Sequence, residues 1–443
     1  MARVTIVGAG LAGSEAAYQL ASRQIPVRLC EMRPRTMTQA HTTADFAEIV
    51  CSNSLGSDEP GTAAALLKEE IRSLGSLLLR IADSVRIPAG KALAVDRRGF
   101  SLGVTEAVGS MDLVEIVNEE VTAVPDPPAI IASGPLTSDR LAAALQDLTG
   151  KQNLSFYDAS SPIVLAESID IARVFRASRY DRGSDYLNCP MNRDQYLPFR
   201  EALLQGQKAE VHEFDKIPYF EGCLPIEELA ARGEDTMRFG PMKPVGLIDP
   251  RTGERPYAVV QLRQDDLAAD HYNLVGFQTR LKWGEQRRIF GMIPGLERAE
   301  FVRHGRVHRN TYINSPALLD PFFETRRKAA LFIIGTLAGV EGYVECVASA
   351  VVAATRLAAA LDGHNITPPP PTTALGALGR YISSADWKNY QPINFSFGLL
   401  DPLARQIRNR DGRRAALVER ARQDLARWIH ENRLQPATRQ GRP

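Results

Sequence analysis

The sequence predicts an α/β protein: a Rossmann-like domain, discontinuous in sequence, with an inserted α+β domain. Three observations predict it. A strand, glycine turn and helix open the chain between Val4 and Ala17. A second strand–glycine turn–helix unit begins late, at Leu331. Between them, roughly Phe156 to Gly305 is richer in charge, aromatics and proline and lacks a second glycine fingerprint. The expected parts are 1–155, the first part of the nucleotide-binding domain; 156–305, the insertion; and 306–443, the second part, ending in a basic helix.

Val4-Thr5-Ile6-Val7 reads as a buried strand. Gly8, Gly10 and Gly13 follow in G-x-G-x-x-G spacing, with Ala9, Leu11 and Ala12 completing the loop. Gly8 suits the tight turn, Gly10 a close pyrophosphate, and Gly13 close helix–strand packing. The helix opening there offers unpaired N–H groups to phosphate. A second strand, Val27 to Glu31, ends in an acid placed to accept both ribose hydroxyls of an adenosine. This unit alone suits FAD, NAD or S-adenosylmethionine equally.

Met32 to Asp45 reads as a loop over the nucleotide. Cys51, among small polar residues and ahead of a helix expected over Thr62 to Ala82, is a candidate reactive thiol. Ser84 to Phe100, with Lys91 and Arg97, reads either as a cofactor wrap or as a surface hairpin. Short strands are expected within Leu113 to Val124 and Pro128 to Ala132, closed by a small-residue turn, as in an inserted β-meander. Asp139 to Leu148 is a short amphipathic helix.

In the insertion, Pro256 to Leu262 is a strand, and Cys223 stands in a loop before a helix. Tyr272 to Phe290 interleaves aromatics with Arg280, Lys282, Trp283, Arg287 and Arg288. Bases stack on such aromatics and phosphates pair with such cations. A solvated basic face over a core stripe fits the pattern equally. Phe301 to Ile313 is strand material. His304 and His308 lack a third ligand for a metal, so no metal site is expected. His308 and Asn310 fit ligand-contacting roles better.

Leu331 to Tyr343 carries Gly335, Gly339 and Gly342, and a buried Ala/Val-rich helix follows to Leu361. A helix N-terminus there can face an isoalloxazine ring that gains negative charge on reduction. Neither an NAD enzyme nor a methyl-donor enzyme needs this remote unit, so the balance shifts to FAD and a glutathione-reductase-like domain. Pro368 to Pro371 reads as a polyproline linker. Residues 401–443 hold eleven arginines against five acids. Their helix puts Leu417, Val418, Ala421, Leu425 and Trp428 on one face, so it reads as a phosphate-backbone contact or as a docked helix with a solvated face.

The 443 residues carry a net charge of +1, which advertises no polyanionic partner for the whole surface. No signal peptide is expected from the opening residues, and glycines, Glu341 and Glu345 interrupt the most apolar run, so no membrane association is expected. The five cysteines are widely spaced, without C-x-x-C, as suits a reducing cytoplasm.

Longer motifs then carry a resemblance. They are the Gly8-to-Gly13 turn, Cys51-Ser52-Asn53-Ser54, Leu187-Asn188-Cys189-Pro190-Met191, Glu221 to Glu227 around Cys223, and Asp249-Pro250-Arg251-Thr252-Gly253. Val275 to Thr279, Arg309-Asn310-Thr311 and Gly339-Val340-Glu341-Gly342-Tyr343 complete the set. Over nearly its whole length the chain resembles the bacterial folate- and FAD-dependent tRNA (uracil-5-)-methyltransferases. It departs from them at Ile334-Gly335-Thr336-Leu337, where Ala-Gly-Gln-Ile is usual, and at Cys346, where a small residue is usual.

The resemblance implies methylation of uridine 54 in the tRNA T loop. The carbon would come from 5,10-methylenetetrahydrofolate and the electrons from FAD reduced by NADPH or NADH, without an obligate protein partner. Cys51 and Cys223 would be catalytic, with Cys223 the nucleophile toward uracil and Cys51 the flavin-side group; the reverse assignment stays open. His308, Asn310, Glu341 and Tyr343 would contact folate. The wobble-uridine modification proteins share this chemistry but are longer and need a partner. A disulfide reductase would want a paired redox-active cysteine motif, and a non-enzymatic RNA-binding role would show no turnover.

Overall fold

Strand β1 (Val4–Val7) is buried, and it takes the middle of a parallel five-stranded sheet. The order across the sheet is Leu331–Ile333, Ala129–Ile131, β1, β2 (Val27–Cys30) and Val114–Val117. Sequence-remote segments are thus laid side by side, which makes the Rossmann-like domain discontinuous. Helix α1 (Leu11–Ala21) and the helix Tyr343–Leu361 pack on one another, joined by alanines. By length and composition Tyr343–Leu361 is apolar enough to cross a membrane, yet 72% of its apolar window is buried in the fold. The computed structural model describes residues 3–149, 154–209, 224–305, 307–388 and 390–438.

A second sheet lies within residues 163–303. Its six strands run in the order Phe175–Arg176, Tyr186–Met191, Ala258–Gln264, His271–Leu274, Ile163–Leu165 and Phe301–Arg303, all antiparallel. It has its own core, in which Tyr196, Phe199, Phe277 and Phe290 are fully buried. An antiparallel ribbon of Leu154–Ala159 and Val307–Tyr312 lies where the chain passes between the sheets.

Several elements differ from expectation. The helix expected over Thr62 to Ala82 is two, Ala63–Ser73 and Leu77–Ser84. Gly75 breaks it at φ +79°, and Ser76 caps the second piece through the Leu79 N–H. Buried Glu15 accepts from the Leu77 and Leu78 N–H groups at 3.3 and 3.0 Å, which a continuous helix would not leave unpaired. No β-meander forms: Val114–Val117 and Ala129–Ile131 both join the parallel sheet. Of the two readings of Ser84 to Phe100, the hairpin is the one found. Arg86–Ile87 and Ala92–Val95 pair, Ser54–Ser57 adds a third strand, and the helix Arg97–Gly109 follows. The expected strand Phe301 to Ile313 is two strands in different sheets. The proline run is not a free linker. It packs on the helix Ala374–Ser384, where a Cβ on Gly376 would lie 2.1 Å from the Pro370 carbonyl.

Candidate functional site: a cleft between two glycine turns

The first glycine turn forms one wall of a cleft of about 510 Å³. Gly8 holds φ +97°, which an L side chain resists. A Cβ on Gly13 would stand 1.8 Å from the Gly8 carbonyl oxygen, so α1 can start this close to β1 only without one. At Gly10 a Cβ would meet nothing within 4 Å, which leaves the backbone open to the cleft. Gly10 is the N-cap of α1 and brings no side-chain cap, so the first N–H groups have no side-chain acceptor there.

Glu31 is buried at the end of β2. One carboxylate oxygen accepts from the Ala9 N–H at 2.8 Å; the other accepts from the Arg33 N–H at 3.0 Å and Nε at 2.9 Å. Burial opposes its charge, but the bonds and charge of Arg33 overcome this and hold its carboxyl below the ordinary range. Arg33 is 2% exposed and also reaches Glu48 at 3.4 Å and the Thr43 carbonyl at 3.2 Å, which ties the Met32 to Asp45 loop over the cleft. The sequence reading missed Arg33; its signal was a basic residue two places after the strand-end acid.

The second glycine turn forms the opposite wall. Gly342, at φ +95°, is the N-cap of Tyr343–Leu361 and again carries no side-chain cap. Gly335, Glu341, Gly342 and Tyr343 line the cleft together with Gly8, Gly10, Leu11, Ala12, Glu31, Cys51 and Asn310. Ala9, Gly13 and Gly339 do not line it: Gly339 instead makes room for Tyr390, whose hydroxyl would lie 2.1 Å from a Cβ there. Asn310 is 2% exposed, and its Oδ1 has no hydrogen-bond partner among the described residues. The His308 side chain lies outside the described residues. The two departures from the resembled pattern touch each other, with Thr336 Oγ1 3.3 Å from Cys346 Sγ.

Cys51 is half-buried on the cleft wall, and its N–H donates to the Tyr343 hydroxyl at 2.9 Å. Cys30, Cys189 and Cys346 are buried. Burial pushes the Cys30 and Cys189 thiols up, and that of Cys346 up to about 12. Cys223 lies outside the described residues. Arg97 and Arg263 hold the Cys51 segment; sequence reading noted Arg97 only within a stretch read as a cofactor wrap or hairpin and passed over Arg263, because their partners are remote in sequence.

The basic segment of the insertion divides between its two readings. Tyr272, Phe277 and Phe290 belong to the core. Lys282, Trp283, Arg287 and Arg288 are exposed on or beside the helix Trp283–Phe290, with Trp283 stacked on His304 at 5.3 Å. Arg280 is half-buried and pairs with Glu228 at 2.9 Å. None of these five lines the cleft.

A family model described as glucose inhibited division protein A matches residues 3–365. A methylenetetrahydrofolate–tRNA-(uracil-5-)-methyltransferase of Desulforudis audaxviator is 56% identical over 97% of this chain and 98% of its own. The enzyme of that name from Heliobacterium modesticaldum is 52% identical over the same shares. The chain belongs to this methyltransferase family. Every cleft residue except Asn394 and Phe395 lies inside the matched span. Aquifex aeolicus GidA has the same fold as this family member. The two agree at a TM-score of 0.66 and 14% identity, over 96% of this chain and 73% of that one.

Proposed function

We propose that the protein methylates carbon 5 of uridine 54 in the T loop of tRNA. The carbon comes from 5,10-methylenetetrahydrofolate. The observation that carries the reading is a half-buried thiol, Cys51, on a cleft whose two ends are uncapped helix N-termini. The cleft residues fit FAD. Gly10 leaves its backbone open, both N-termini lie at the cleft wall as anionic or electron-rich groups require, and the Glu31 oxygen that accepts only from Ala9 keeps acceptor capacity for a ribose hydroxyl. FAD, reduced by NADPH or NADH, supplies the electrons that turn methylene into methyl.

Carbon 5 of uracil is a poor nucleophile until a thiolate adds to carbon 6. Cys223 forms that S–C bond, and the electron pair moves into the enolate, which attacks the methylene as the first of its two C–N bonds to folate breaks. Cys51 takes the carbon 5 proton as the second C–N bond breaks, which leaves an exocyclic methylene; the hydride that bound reduced flavin would supply then adds to it as the S–C bond breaks to release Cys223. Asn310, Glu341, Tyr343 and His308 hold the folate; the Asn310 Oδ1, without a partner among the described residues, suits a donor N–H on a pterin. Arg280, Lys282, Trp283, Arg287 and Arg288 hold the tRNA, through cations that pair with phosphate and an exposed aromatic beside them.

The test is one incubation of FAD-loaded protein with an unmodified tRNA transcript, methylene-labelled folate and NADPH. Mass spectrometry of the digested tRNA is expected to show labelled 5-methyluridine at position 54. Label at the wobble uridine, or no label with flavin bound, overturns the reading.

A further inference from the structure

One buried cluster beside the cleft is unused by the mechanism above. Arg263, 7% exposed on the insertion strand Ala258–Gln264, donates to Asn53 Oδ1 at 2.8 Å and to Ser52 Oγ at 2.6 Å. Asn53, fully buried, donates to the Gln264 carbonyl at 3.0 Å and the Val95 carbonyl at 3.2 Å. Arg97 grips Asp265 with two bonds, at 3.1 and 3.0 Å, and also donates to the Ile49 carbonyl. Residues 49, 52 and 53 are thus tied on both sides of Cys51, and three of the partners, Arg263, Gln264 and Asp265, come from the insertion.

The charge balance matters as much as the geometry. Asp265 already serves Arg97, so the direct partners of Arg263 are a neutral amide and a hydroxyl. Burying a guanidinium against neutral acceptors is unfavourable unless the charge is used. Arg97 and Arg263 both interact electrostatically with Cys51.

We propose that Arg263 is a positioning residue for Cys51, so that the insertion must be docked for the thiol to be presented to the cleft. This rests on the reading of Cys51 as catalytic. Arg263 holds the Ser52 and Asn53 side chains through its planar fork. Lysine keeps the charge but loses the fork.

The experiment measures iodoacetamide alkylation of Cys51 in FAD-loaded protein at one pH, followed by peptide mass spectrometry. Arg263→Gln is expected to slow alkylation roughly tenfold with flavin retained, and Arg263→Lys, which lacks the fork, to recover little of the loss. A rate in R263Q equal to or above that of the unaltered protein overturns the proposal. If R263Q loses its flavin, Ser52→Ala decides, since it removes one acceptor and leaves Asn53 in place. Slowing of about threefold supports the proposal and an unchanged rate overturns it. Alkylation needs neither folate nor tRNA, so this failure is distinct from a failure of the methyl-transfer reading.

Discussion

A single methyl group at position 13 would collide with the Gly8 carbonyl oxygen at 1.8 Å. Gly13→Ala therefore forces α1 away from β1, and the purified variant is expected to lose most of its flavin absorbance. Glu31→Ala removes the acceptor of the Ala9 N–H and leaves Arg33 with the Thr43 carbonyl at 3.2 Å and a 3.4 Å ion pair to Glu48. Breaking such a buried pair destabilises by about 3 kcal/mol, to be read from urea unfolding of the flavin-free protein. At this scale the sequence is legible where chemistry is local. The three glycines, Glu31 and Cys51 stand in short motifs whose spacing has a physical meaning. Arg263 shows the opposite case: an arginine in a buried strand, whose partners Ser52 and Asn53 lie more than two hundred positions away in the chain. No local pattern reports that pairing.

Among the elements, the strand–turn–helix units and the C-terminal helix were readable from periodicity. The helix Arg410–Glu431 buries Leu417, Val418, Ala421, Leu425 and Trp428, the face its spacing predicts. The break at Gly75 was less visible, because apolar residues continue on both sides of it. Ser76 and Glu15 explain it: the hydroxyl caps one helix and donates to the buried carboxylate at 2.9 Å. Ser76→Ala is expected to cost about 1 kcal/mol in urea unfolding, without loss of the fold. The insertion helix Trp283–Phe290 keeps its cations outside, so Arg287→Ala with Arg288→Ala is expected to weaken tRNA binding and reduce its salt dependence.

Over the whole molecule, remote segments are joined by buried carboxylates at helix starts. Glu70 accepts from the Ala374 and Leu375 N–H groups at 2.8 and 2.9 Å and so caps the helix Ala374–Ser384. Burial pushes its carboxyl from 4.5 up to about 8, despite those two donors. Between these values the folded state holds a proton that the unfolded chain has released. This contribution to stability is full below about 4.5 and is lost as pH rises through about 8. Glu70→Gln is expected to flatten that decline in thermal unfolding followed across the interval. The discontinuous sheet was legible because both glycine units announce themselves. The antiparallel order of the insertion was not, since Ala258–Gln264 pairs with Tyr186–Met191, and Ile163–Leu165 with His271–Leu274 and Phe301–Arg303, across long separations.

The central claim is that Cys51 works at the cleft in which the two glycine turns meet. Its most direct test compares the unaltered protein with Cys51→Ala, both loaded with FAD, in the transfer of labelled methylene carbon to an unmodified tRNA transcript. Equal flavin absorbance, with labelled 5-methyluridine from the unaltered protein and none from C51A, is the expected result. Labelled 5-methyluridine from C51A at the unaltered rate would contradict it.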